Sequence, residues 1–151
     1  MSGAEHFAAV PFGRTVTADD VAETLEFFDD WEDRYRYIID LGKDLPGLPE
    51  ELKTDERFIH GCQSQVWIDH QVDGASGNVQ FAVDSDALIV RGLAAMVLAA
   101  LNDRPPAEIT GYDVEGYFER LDLLKHLSPT RGNGLRSMVE RMVSVAAGAS
   151  A

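Results

Sequence analysis

A single α+β domain, with a small antiparallel sheet of about three strands covered by several helices, is the fold class the chain predicts. Three observations carry that reading. Residues Gln65 to Val72 and Asn78 to Asp84 alternate apolar and polar positions around Asp73-Gly74-Ala75-Ser76-Gly77, the pattern of a hairpin. Helical stripes flank the hairpin on both sides in sequence, which favours segregated helices over a wound α/β order. The chain has 151 residues, 45% of them hydrophobic, enough for one domain with a real core.

Taken in order, Met1 to Thr17 lacks the cationic start and apolar core of a secretory leader and reads as a flexible segment over 1–16. Thr17-Ala18-Asp19-Asp20 is a capped helix start, with Val21, Leu25 and Phe28 on one face. Asp29 and Asp30 break that helix and cap a second, in which Trp31, Tyr35, Ile38 and Leu41 form the inward stripe and Gly42 supplies the stop. At helical spacing the Trp31 and Tyr35 pair reads as core. Lys43 to Arg57 contains Pro46, Gly47 and Pro49, so it wraps the surface with one turn near Glu50-Glu51-Leu52. It leads into Arg57-Phe58-Ile59, a short third strand. In the first hairpin strand Val66, Ile68, His70 and Val72 share one face.

After the hairpin, Asp84-Ser85-Asp86 caps a helix to about Asn102 that is apolar on nearly every side, and this is the central buried helix. Arg91 is its one charge and must reach an acid or solvent along its stem. Pro105-Pro106 ends the unit, and Val114 to Leu124 is a further helix with Tyr117, Phe118, Leu121 and Leu124 inward. Ser128 to Gly134 is a polar, turn-rich loop. A last amphipathic helix follows, with Leu135, Met138, Val139, Met142, Val143 and Ala146 inward. The domain is expected to span 17–147, with 148–151 as a frayed tail.

Composition excludes several classes. The longest apolar stretch, Gly92 to Leu101, is too short to cross a bilayer, and the reading is cytosolic. The net charge of −13, from 26 acids and 13 bases, disfavours nucleic acid, whose binding depends on neutralising phosphates. The charge is uneven: 14 acids against 4 bases lie between Asp19 and Glu56, whereas Arg120, Lys125, Arg131, Arg136 and Arg141 face only Asp122 and Glu140 beyond residue 119. There is one cysteine, so no disulfide forms within the chain and no zinc or iron–sulfur site can be built from its thiolates. His6, His60, His70 and His126 show no ligand spacing. No metal and no cofactor is implied.

That cysteine, Cys62, sits in His60-Gly61-Cys62-Gln63-Ser64, at the junction of a loop and a strand. A free cysteine is ordinarily a small buried hydrophobe. Here Gly61 gives backbone freedom, and Gln63 and Ser64 are short polar groups that cost stability if buried unpaired. The thiol is thus placed where a partner can reach it. His60 is close enough in sequence to aid thiolate formation, as are the amides of Gly61 to Ser64 acting as an anion nest.

Gly61-Cys62-Gln63-Ser64-Gln65-Val66-Trp67-Ile68 resembles the signature of the SufE family of sulfur acceptor proteins. The resemblance extends to Trp31 through Gly42 with Leu45-Pro46, to Asp84-Ser85-Asp86-Ala87-Leu88-Ile89-Val90-Arg91-Gly92-Leu93, and to His126-Leu127-Ser128-Pro129-Thr130-Arg131-Gly132-Asn133-Gly134-Leu135. These blocks stand in the family's order over about residues 25–145. The resemblance implies a SufE/IscU-like α+β domain that is not itself an enzyme. It implies that Cys62 takes persulfide sulfur from a pyridoxal-phosphate cysteine desulfurase of the SufS or CsdA type, stimulates that desulfurase, and passes the sulfur to an iron–sulfur cluster scaffold. It implies that Arg131 anchors the cysteine loop or meets the partner, and that Asp86 lies at the desulfurase-facing surface. From the residues alone Asp86 is a helix cap. Two other classes fit a lone thiol: an interaction module whose cysteine is idle, and a cysteine hydrolase drawing on His60, His70 or His126.

Overall fold

The computed structural model describes residues 5–60 and 64–149. Seven α-helices, two 3-10 turns and one hairpin are present among them. Strand β1 (Val66–Val72) pairs antiparallel with β2 (Val79–Ser85), with Val66 opposite Ser85 and Val72 opposite Val79. The turn between them is tied by the Asp73 carboxylate, which accepts from the Ser76 amide at 3.0 Å and its hydroxyl at 2.7 Å. The inward stripe of β1 ends earlier than the alternation implies. Val66 and Ile68 are buried, but His70 is exposed and Val72 is 51% exposed. Their partners Phe81 and Val79 are fully buried, so the helices cover β2 and leave this end of β1 open.

The third strand is reduced to a single bridge. Phe58 pairs with Trp67, the Ile59 amide donates to Val66 O and the Ile68 amide to Arg57 O, both at 2.9 Å. On the other edge Val79 bridges Arg104 in the same way.

Two of the three helices that precede the sheet are long. Helix α2 (Ala18–Phe27) opens on a capping box in which Thr17 Oγ1 accepts from the Asp20 amide and Asp20 accepts from the Thr17 amide. Helix α3 (Trp31–Lys43) is capped by Asp30. Gly42 is not its stop. It lies buried within the helix, where a Cβ would come within 2.6 Å of Gly92 N in α4 (Leu88–Leu101), and a Cβ on Gly92 would fall 2.0 Å from Ile38 O. The two glycines let the backbones of α3 and α4 touch, which is why α4 is buried on nearly every side.

Arg91, the charge in that buried helix, finds its acid. Its guanidinium pairs with Asp84 and donates to Gly42 O at 3.3 Å and Leu45 O at 2.7 Å, carbonyls at and just past the end of α3. Asp84 also accepts from the Leu48 amide at 2.9 Å and faces Lys53 at 3.4 Å, so one buried carboxylate fastens the 45–53 wrap, including its 3-10 turn Glu50–Leu52.

Residues 5–16 correct the expectation of a flexible lead-in. Helix α1 (Glu5–Ala8) and the chain after it bury Phe7, Val10 and Phe12. Arg14 ties off Phe7 O and Val10 O, each at 2.8 Å, and pairs with Asp103 at 3.1 Å. Asn102, fully buried, joins Phe12 O to the Phe81 amide.

The C-terminal half holds a second correction. Pro106 opens a short helix α5 (Pro106–Thr110) where the sequence signals only a break, and α6 (Val114–Leu121) stops at Asp122 in the left-handed region, φ 54°. A 3-10 turn, Leu124–His126, leads to α7 (Pro129–Ala149). The expected loop at 128–134 is therefore mostly helix, and the helix outlasts the expected fraying point. Pro129 suits a first helical position, and Ser128 Oγ accepts from the Arg131 amide at 3.2 Å. Gly132 and Gly134 each cost roughly 1 kcal/mol against Ala in a helix. Burial of Leu135, Met138, Met142 and Ala146 along the same helix outweighs that.

Candidate functional site

Gly61, Cys62 and Gln63 lie outside the described residues. Their surroundings are defined by the two chain ends that meet them. On the entering side Ile59 is buried and bonded to Val66, so the loop leaves from the sheet edge. His60 is exposed, and its ring stands edge-on to Phe58 at 5.0 Å and 75°. Phe58 in turn meets Trp67 at 5.8 Å, and Lys53 lies over the Trp67 ring at 5.4 Å.

On the returning side Asp86 does the fixing. Its Oδ1 accepts from the Gln65 amide at 3.0 Å, and its own amide donates to Gln65 O at 3.3 Å. It is not the cap of α4, whose N-cap is Ala87 without a side-chain bond. Its exposed carboxylate ties the strand entry to the helix start, with Leu88 beside it 57% exposed.

Between these ends lies a small cavity. Among the described residues it is lined by Ser64, Val90, Leu93, Arg131, Gly134, Leu135 and Met138. Its room, about 10 Å³, is the size at which a cavity begins to hold one water-sized group. The walls are apolar apart from Ser64 and Arg131. Nη1 of Arg131 is buried and has no hydrogen-bond partner among the described residues. A buried cationic nitrogen without an acceptor is costly, so the position suits an anion. Arg131 also lines an open groove with Tyr35, Ile89, His126, Leu127 and Ser128. That groove is held by α3: Trp31 stacks on His126 at 4.0 Å and the Tyr35 hydroxyl donates to His126 O. Trp31 and Tyr35 are half-buried braces of the turn before α7, packed on the core rim.

The structure thus brings Ser64, Arg131 and, one residue beyond the loop, the Asp86 tether to one place. His60 lines a different surface, with Ile59, Ser137, Glu140 and Arg141. Two groups of side chains that sequence did not single out hold the loop stem. Arg57 donates to Asp69 at 2.9 Å and to Thr54 at 3.0 Å, while His6 meets the other Asp69 oxygen at 3.0 Å. Burial pushes the Asp69 carboxyl up, but the hydrogen bonds from Arg57, His6 and the His70 amide outweigh it and hold the group below the usual carboxylate range. The second is Arg141, which donates to Glu56 O and Phe58 O, each at 3.1 Å. Arg91 carried a signal, being a lone charge in an apolar helix. Arg141 carried none, because its acceptors are main-chain carbonyls. Among the described residues no group of three or more His, Cys, Asp or Glu side chains has the arrangement of a metal site, and no helix is long and apolar enough to cross a membrane.

With this geometry in view, the chain was compared with known proteins. The family model for SufE, described as an Fe-S metabolism associated domain, matches residues 19–146. An uncharacterized SufE-like protein of Rhizobium etli is 48% identical over 126 residues, covering 82% of this chain and 85% of that one. One of Rhizobium meliloti is 46% identical over 135 residues, covering 86% and 94%. The sulfur acceptor protein CsdE of Escherichia coli is 40% identical over 138 residues, covering 91% and 93%. Among solved structures, the solution structure of a hypothetical protein from Thermus thermophilus superposes with a TM-score of 0.71 at 18% identity, over 88% of this chain and 95% of that one. That likeness is one of fold.

Proposed function

The chain belongs to the SufE family, the Fe-S metabolism associated domain, and from that membership we propose that Cys62 is a sulfur acceptor serving iron–sulfur metabolism. Its donor is the persulfide of a pyridoxal-phosphate cysteine desulfurase. The Cys62 thiolate attacks the outer sulfur of that persulfide. A new S–S bond forms on Cys62, the donor's S–S bond breaks, and the donor cysteine leaves as its thiolate, so no outside oxidant or reductant is needed. The same exchange run forward delivers the sulfur to an iron–sulfur scaffold. A chain with one cysteine suits the task, since a second thiol nearby would attack the persulfide and release sulfide.

The observation that carries this reading is the cavity beside Ser64, two residues from the thiol, with apolar walls and the unpartnered Arg131 nitrogen. A terminal persulfide sulfur is anionic and polarisable. Apolar walls keep water and reductants away from it, and one guanidinium nitrogen compensates its charge. Asp86 and Leu88, exposed beside the loop's return, form the edge on which the desulfurase docks, and stimulation of the desulfurase follows from removal of its product sulfur there.

The test is intact mass after incubation with cysteine and a cysteine desulfurase. Wild type should gain the mass of one sulfur atom, and Cys62→Ser should gain none and fail to stimulate turnover while keeping its melting temperature, because serine is nearly the size and shape of cysteine. Full stimulation by Cys62→Ser would make the chain an interaction module and end the carrier reading.

A further inference from the structure

We propose that Arg141 is a positioning residue for the Cys62 loop: it fixes the stem from which the loop departs, and so sets the rate at which sulfur reaches the thiol. The inference rests on the sulfur-acceptor reading for its functional readout only. The stem is the 56–59 segment. On its inner side it is paired with β1 through the shortest contact a sheet allows, the Ile59 to Val66 and Ile68 to Arg57 bonds. A one-bridge edge frays readily.

Its outer side decides whether it does. Glu56 lies in the turn over 55–57 and Phe58 at the bridge that follows it; there the carbonyl given to β1 is that of Arg57. The Glu56 and Phe58 carbonyls each receive one terminal nitrogen of Arg141 at 3.1 Å. A planar fork with donors at fixed spacing spans two such acceptors, which a lysine ammonium, a single point on a flexible stem, does not reproduce. In a chain with 26 acids and 13 bases, this base is given to two main-chain carbonyls. The neighbouring Arg136 on α7 pairs with Glu115 instead.

Helix α7 therefore holds the loop at both ends. Arg131, Gly134, Leu135 and Met138 line the cavity beside Ser64, and Arg141 stands one turn beyond Met138 on the stem. One rigid helix sets the distance between the loop's departure and the cavity at its return. The Arg57, Asp69 and Thr54 contacts bind the stem independently on the sheet side, so removing Arg141 loosens 56–58 without unfolding the domain.

Arg141→Ala, Arg141→Lys and the control Arg136→Ala test this by four measurements. These are amide exchange over 56–68, alkylation of Cys62 by iodoacetamide, sulfur uptake with a desulfurase, and the melting temperature. Arg141→Ala should raise exchange of the Ile59 and Ile68 amides about ten-fold and alkylation about three-fold, through local opening. It should lower the saturating rate of sulfur uptake about five-fold with the half-saturating concentration unchanged, because positioning and not docking is lost. Arg141→Lys should resemble Arg141→Ala, and Arg136→Ala should resemble wild type. Wild-type exchange and alkylation in Arg141→Ala would overturn the proposal. So would full rescue by Lys, equal effects in Arg136→Ala, or alkylation that merely tracks a fall in global stability. If wild type takes up no sulfur the acceptor reading fails, and exchange with alkylation still decides whether Arg141 positions the loop.

Discussion

Single residues carry more of this fold than their chemistry advertises. Gly92 has no side chain, yet its hydrogen occupies the place where α3 and α4 meet, and a Cβ there would overlap Ile38 O at 2.0 Å. Backbone cannot yield as a flexible side chain can, so Gly92→Ala should destabilise the domain by about 3 kcal/mol or more, the upper range for overpacking. Thermal melting checks it, and an unchanged melting temperature would mean that the helices can separate. Asp84 and Arg91 act by a different route. Asp84 is buried and Arg91 half-buried, each satisfied by the other and by backbone, so removing Arg91 leaves a buried carboxylate with only Lys53 as a cation beside it among the described residues.

At the scale of the element, the N-terminal segment and α7 behave differently from what their composition advertises. Residues 5–16 read as a lead-in segment, but Phe7, Val10 and Phe12 are placed in the core. Phe12→Ala should therefore cost about 3–5 kcal/mol, as for any fully buried phenylalanine, and urea titration measures it directly. A flexible segment would show no change. The same segment reaches the cysteine loop through His6, Asp69 and Arg57. Since the folded Asp69 carboxyl titrates below its ordinary range, its contribution to stability is complete above the unfolded value of about 4 and is lost as pH falls through the lower folded value. Asp69→Asn should thus be less stable than wild type at pH 7, with the gap closing as pH falls below about 4. Paired melts across that range test it, and a gap independent of pH would show that the carboxylate's charge is not what ties the strap.

The whole molecule sets the cavity beside Ser64 at the seam between the start of β1 and two helices. Helix α4 supplies the apolar wall through Val90 and Leu93, and α7 supplies the remaining wall and the one cation. On the proposed function, such a seam would reconcile two demands on a sulfur carrier, shelter for the bound sulfur and access for partners. The exposed rim at Asp86 and Leu88 lies within a few residues of the sheltering cavity. Although acids outnumber bases two to one, none of them among the described residues is bonded to the cavity's buried guanidinium nitrogen. On the proposed function, an incoming anionic sulfur would meet no competing partner among the described residues there.

What the sequence by itself determined was largely local: the hairpin and its turn, the Thr17 and Asp30 caps, the buried character of α4, and the family. These follow from periodicity, turn chemistry and motifs, which are properties of neighbours along the chain. It misjudged 128–134, because glycines and a proline signal a turn whether or not tertiary burial stabilises a helix through them, and it misjudged Gly42, because a stop and a close helix contact call for the same residue. Only the tertiary structure decided that Asp86 tethers Gln65, that Arg131 lines the cavity and keeps a buried nitrogen without a partner among the described residues, that Phe7, Val10 and Phe12 are core, and that Arg141 clamps the stem. Each of these joins groups distant in sequence, several of them through main-chain acceptors. Every residue offers the same carbonyl, so which one a side chain reaches is set by packing and leaves no mark in the order of amino acids.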